Sequence, residues 1–369
     1  MSPFSRFISH FCLLFISLFI GAVYAQTPSY SVQSVPIRGA VYSSLLSTKN
    51  NNVVIGSHKR RIYFFDEHGT IQQEFRTKLW VHATPAIVSD SLIAIGSYDG
   101  HIYFFNEQGV LKNKISPGGR IFTNLAQIDS TTVMFGTGKK KIVFYNLLTH
   151  ALNFEKTNKL THGSPVVLSN RFTCIGSNDK HLYIFNDHKE LVTRYRTNDW
   201  IMHSKALELP NLSVVFGCYD KNIYNIDLQG NTLWKLETKG RIHASPRKID
   251  DEKIVVGSFD KHIYILNCAG KLLRSIPTKK RIVSSAVITP DKKIVIGSYD
   301  KHIYILNENG DIEQKIPAGG KIFSTPTVLS NGTIVCATTN GKVLFIRPIT
   351  KLYMDTEQHS TNNKYNIEK

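Results

Sequence analysis

The residues most able to do chemistry in this chain are its 14 histidines, five cysteines and a recurring aspartate. His82, His162 and His243 recur at intervals of about eighty residues in matching surroundings, and three imidazoles are a common ligand set for a transition metal. His101, His181, His262 and His302 share a second register, just after Asp99, Asp179, Asp260 and Asp300, where an imidazole bonds to turn backbone or to the neighbouring carboxylate. With Asp220, these aspartates hold one turn position in different units, which makes them turn formers and not a catalytic constellation. Basic and indole side chains form a third set: Trp80, Arg120, Trp200, Arg241, Arg281 and Lys321 at one register, with the runs Lys59-Arg60-Arg61 and Lys139-Lys140-Lys141.

A repeat must position all of these. A glycine recurs at Gly56, Gly96, Gly136, Gly176, Gly217, Gly257 and Gly297, with Ala337 in the eighth place. The steps are 40 residues, except for one of 41 whose extra residue is placed in the loop 208–212. Each unit reads as four short strands, β-branched and aromatic, broken by turn residues. In the seventh these are 282–288, 293–298, 302–307 and 312–316. Four antiparallel strands in about forty residues make a propeller blade, and eight blades close a ring, so the fold predicted is an all-β eight-bladed propeller. Residues 30–38 read as an orphan fourth strand that completes the last blade and removes an exposed edge. In such a ring His82, His162 and His243 lie in alternate blades, about a quarter-turn apart, too far to converge at the roughly 2.0–2.1 Å a metal ion requires. No metal site is therefore expected. Cys174 and Cys218 are offset by about 10 Å along their strands, beyond the about 7 Å that a disulfide spans, and free buried thiols are expected.

The formal net charge of +17 points to an anionic partner. Inter-blade loops and the turns between second and third strands share one face, and their charges also sum to +17, while the loops of the other face are net negative. The residues just before each innermost strand, Ala40, Trp80, Arg120, Leu160, Trp200, Arg241, Arg281 and Lys321, should ring the channel mouth on the basic face. Arg and Trp are the types that carry binding energy at interfaces, and this mixture suits an acidic protein segment or an anionic envelope polymer. Lys59, Arg60, Arg61, Lys139, Lys140 and Lys141 add basic points near the rim.

Residues 1–25 have the pattern of a secretory signal peptide: Arg6, a short apolar run, and small residues before a cut near Ala25. The expectation is an exported, soluble monomer, periplasmic or secreted, with no transmembrane span and no nucleic-acid partner. Residues 26–354 form the propeller, and 355–369 a disordered polar tail.

The units resemble the PQQ-like propeller family in their Gly-Ser, their Asp-Gly turn, the strand typified by Ile303-Tyr304-Ile305-Leu306-Asn307, and a following glycine. The family's tryptophan survives at Trp234, but Gln73, Asn113, Phe154, Thr193, Arg274 and Gln314 stand at the equivalent places. The resemblance covers about residues 33–354. It implies either a quinoprotein dehydrogenase using PQQ with calcium, or a non-catalytic scaffold such as one of outer-membrane β-barrel assembly. The dehydrogenases' vicinal cysteines and Asp-Glu-Asn cluster are missing here. The expectation is a non-catalytic scaffold without cofactor, with the dehydrogenase and a metal-dependent or sugar-active propeller enzyme as the alternatives.

Overall fold

The computed structural model describes residues 30–349; the signal-peptide reading and the polar tail lie outside them. The described residues form eight four-stranded antiparallel sheets, with one 3-10 turn at Ser89–Ser91. In the seventh blade the strands are Val287–Ile288, Ile294–Gly297, His302–Leu306 and Ile312–Pro317, in that order from the axis outward. Tyr30–Pro36 pairs antiparallel with Lys342–Pro348, from Tyr30 opposite Pro348 to Pro36 opposite Lys342. The start of the described chain thus completes the eighth blade, as expected, and fastens the ring.

Innermost strands are much shorter than the sequence pattern suggests. Their regular ladder spans only two residues in most blades, as at Val287–Ile288. In several blades a side chain is inserted between the first and second strands. Ser43 Oγ accepts the Gly56 N–H and donates to the Gly56 carbonyl, both at 3.0 Å. Thr123 and Ser204 accept the N–H groups of Gly136 and Gly217 in the same way, at 3.0 Å. The hydroxyl spans a gap that backbone alone would leave open.

The recurring glycine has a packing reason. A Cβ on Gly257 would lie 2.2 Å from Ile282 Cγ2 in the next blade, and one on Gly217 2.1 Å from Ile242 Cγ2. Each blade's second strand is therefore approached directly by the first strand of the next. Apolar side chains of neighbouring blades interdigitate in separate clusters, one at each blade–blade interface. This nearest-neighbour packing is what the repeat requires.

The mostly missing tryptophan has a structural substitute. Trp234 donates its Nε1–H to the Cys268 carbonyl of the next blade at 3.0 Å and covers Gly270. In its place Arg274 donates to the Asn309 carbonyl at 3.0 Å, and Thr193 to the Leu228 carbonyl at 2.7 Å. Several side chains can make the same inter-blade bond, so the indole is dispensable to the ring.

Candidate functional site

The residues preceding the innermost strands form a ring held by one repeated bond. In every blade the backbone N–H two residues after the anchoring position donates to the carbonyl of the ring residue: His58 to Ala40, Tyr98 to Trp80, Gly138 to Arg120, Asn178 to Leu160, Tyr219 to Trp200, Phe259 to Arg241, Tyr299 to Arg281 and Thr339 to Lys321, at 2.8–3.2 Å. Trp80, Arg120, Trp200, Arg241, Arg281 and Lys321 are all exposed, the two indoles at 49% and 37%.

Aromatic side chains at the donor positions support this ring, and the sequence reading passed them over. Trp80 stacks on His58 with centroids 4.9 Å apart, and Trp200 on Tyr219 at 6.3 Å. Arg281 lies 5.0 Å from the Phe259 ring and 4.4 Å from Tyr299; Arg241 is over Tyr219 and Lys321 over Tyr299. Cation–π contacts of this kind fix the direction of long basic side chains while leaving their N–H donors free. The available signal was the register itself, since five of its eight members are aromatic or His. The basic turns divide. Lys59, Arg60, Lys139 and Lys140 are exposed at their tips. Arg61 is engaged within its own blade by Glu74 at 2.7 Å, and Lys141 lies 3.4 Å from the Phe154 ring. Those two are committed to the blade and not free at the rim.

Below the mouth a layer of rings crosses the axis, and here two sequence expectations are corrected. The 41-residue step is not in the loop 208–212. Leu207–Glu208 pairs with Val215 and Val214 in the same register as Val166–Val167 with Cys174 and Thr173. The extra residue is a bulge at Met202-His203 inside the innermost strand, with His203 at φ 62°. His203, not Met202, therefore takes the inward place that His82, His162 and His243 take in their blades. It stands 5.2 Å from His82, 5.5 Å from His162 and 4.5 Å from His243, ring centre to ring centre, and 6.0 Å from Phe323. Histidines expected to be held apart thus meet through a fourth that the alignment concealed. The signal for it was Ser204, thirteen residues before Gly217 just as Ser43 precedes Gly56.

These imidazoles are neutral. Burial pulls His82 from 6.5 to about 3, with the nearby His58, His162 and His243 adding to it, and pulls His243 and His162 to about 4. Their nitrogens face one another and the backbone: His58 Nε2 and His82 Nδ1 share a bond at 3.1 Å, and His243 Nδ1 bonds the Val283 carbonyl at 3.1 Å. Among the described residues no three His, Cys, Asp or Glu side chains have the geometry to hold a metal ion.

The turn aspartates are struts, as expected. Asp260 accepts the Tyr264 hydroxyl at 2.7 Å, the Lys239 N–H at 3.0 Å and the His262 N–H at 3.1 Å, so one carboxylate ties a turn, a strand and the preceding loop together. Although burial opposes ionisation, such bonds hold Asp99 and Asp300 below the usual carboxylate range. His101 and His302 bond to their turn aspartates, as their register implied. Cys174, Cys218, Cys268 and Cys336 are free thiols, three of them buried. On the far side of the ring layer the channel widens into a cavity of about 660 Å³ that opens on the opposite face.

No helix among the described residues is long and apolar enough to cross a membrane. No protein-family profile matches the chain, and neither does any curated protein. Solved structures do match. The computationally designed protein Ika8 is 17% identical with a TM-score of 0.71, covering 85% of this chain and 98% of that one. BamB from Moraxella catarrhalis is 15% identical with a TM-score of 0.70, covering 86% of this chain and 98% of that one. At these identities the likeness is one of fold, and the fold is the eight-bladed propeller.

Proposed function

We propose that the chain is an exported, non-catalytic binding propeller of the cell envelope, one that engages an acidic protein segment through its basic mouth. An anionic envelope polymer is the other ligand the surface suits. The observation that carries this reading is the ring of exposed indoles and cations standing on aromatic supports at the axis. Exposed charges on rigid supports lose little side-chain entropy when a partner docks. The shared fold with BamB supports a binding role by analogy alone.

Among the described residues, the groups that the quinone-enzyme alternative needs do not converge on the axis. Cys174 and Cys336 are buried in different blades, the Cys218 and Cys268 thiols bond to backbone carbonyls, and the repeated aspartates are bound to tyrosine hydroxyls. These residues do not fit PQQ with calcium.

The test is a titration of the full chain with poly-glutamate, and separately with polyphosphate, followed by calorimetry and tryptophan fluorescence. Arg241→Glu/Arg281→Glu/Lys321→Glu should weaken poly-glutamate binding by at least about tenfold, with a steep salt dependence in the wild type. Equal affinity of wild type and triple variant would overturn the proposal. Stronger binding of polyphosphate would replace the peptide by a polymer.

A further inference from the structure

The cavity beyond the ring layer has a construction that the basic mouth does not explain. At one level of it stands a single residue from each blade, twelve before the anchoring position: seven small hydroxyl or amide side chains and, in the fifth blade, Lys205. Four of the hydroxyls are already committed as acceptors across blade boundaries. Thr84 Oγ1 takes the Ser44 N–H at 3.1 Å and Ser44 Oγ the Thr325 N–H at 3.1 Å; Ser245 Oγ takes the Lys205 N–H at 2.9 Å and Ser285 Oγ the Ser245 N–H at 2.8 Å. A hydroxyl that has accepted from backbone keeps its O–H to donate, and these side chains line the cavity.

Two cations join these donors. Lys205 and Arg247 both line the cavity, and neither is in an ion pair with another described residue. Lys248 at the rim is held by Asp251, and no Asp or Glu is among the described lining residues. Both are half-buried, and burial together with the Arg247 charge lowers the Lys205 ammonium. Two like charges side by side without a counter-charge are costly to the free protein, a cost characteristic of sites that receive their counter-charge from a ligand. The opposite face was expected to be negative from its loops. Loop charges do not register these cations, because they sit on the innermost strands.

We propose that this cavity binds a small organic oxyanion, a carboxylate or phosphate carried on an apolar or aromatic body. Lys205, Arg247 and the donating hydroxyls hold the head group, and the body rests against Phe323, Leu45 and Ile288. The volume is in the range of small-molecule sites, and its balance of apolar wall with a few convergent donors is theirs too.

Phenyl phosphate and benzoate are the probes, with benzyl alcohol as the uncharged control, measured on the full chain by calorimetry and thermal unfolding. One probe anion should bind with one-to-one stoichiometry and raise the Tm, while benzyl alcohol does neither. Lys205→Met and Arg247→Met should each weaken binding by at least about tenfold and should raise the Tm of the free protein, since each removes a repelling half-buried charge. The bound anion should also protect Lys205 of the wild type from acylation, read by mass spectrometry without any variant. Arg241→Glu/Arg281→Glu/Lys321→Glu should leave phenyl phosphate affinity unchanged. Loss of binding in that variant would place the site at the mouth and overturn this inference while favouring the proposed function. Absence of binding by both probes up to about 10 mM, or binding indifferent to Lys205 and Arg247, overturns it outright.

Discussion

Lowering the pH from 7.5 to 5.0 should destabilise this protein through its axial histidines. In the unfolded chain an imidazole titrates near 6.5. In the folded protein burial holds His82 at about 3 and His243 at about 4, and His203 is lowered well below its usual value. Between those values the unfolded state takes up protons that the folded state refuses. Stability is therefore full above about pH 6.5 and falls progressively towards pH 4. At pH 5 the gap is about 1.5 pH units, or about 2 kcal/mol each for His82 and His243. Together His82 and His243 contribute a loss of about 4 kcal/mol, a large share of the whole stability of many domains. Turn carboxylates do not obscure the effect, because Asp99 and Asp300 are held low when folded and carboxylates are mostly ionised at pH 5 in the unfolded chain as well. Urea unfolding at the two pH values measures the difference directly. His243→Phe should reduce the loss by about 2 kcal/mol. Equal stability at pH 7.5 and 5.0, or an unchanged loss in that variant, would refute the buried, neutral layer.

Two further outcomes follow from the ring itself. Gly257→Ala should cost about 1–3 kcal/mol in denaturant unfolding, since the new methyl meets Ile282 Cγ2 at 2.2 Å, and combining it with Ile282→Ala should cost less than the two separate losses. A chain beginning at Ile37 lacks the strand Tyr30–Pro36 and leaves Lys342–Pro348 as an open edge. It should associate in light scattering and unfold at lower temperature, and an unaltered monomer with unaltered Tm would argue against closure by that strand.

The reach of the sequence is clearest at particular residues. Gly56 to Ala337 recur because every blade presents the same packing surface to its neighbour, and a repeated constraint leaves a repeated letter. Asp260 and Tyr264 are equally legible, since turn, strand and loop bonds all fall within one unit and its predecessor. His203 was not legible. One inserted residue shifts the register of a short strand, and the loop 208–212 absorbs it as well as the bulge does until the pairing of Leu207 with Val215 settles the matter.

The sequence by itself determined the blade count, the four-stranded unit and closure by the orphan strand, because each depends on local pattern and its repetition. Only the tertiary structure decided which side chains meet on the axis. There eight blades contribute one residue each from positions far apart in the chain, and the bulge at His203, with φ 62°, brings its imidazole against those of His82, His162 and His243. It decided as well that Arg61 and Lys141 are engaged inside their blades, and that Lys205 and Arg247 share one cavity without a counter-charge. Charge counted along a chain is blind to depth, and depth sets both the cost of a cation and what it can bind.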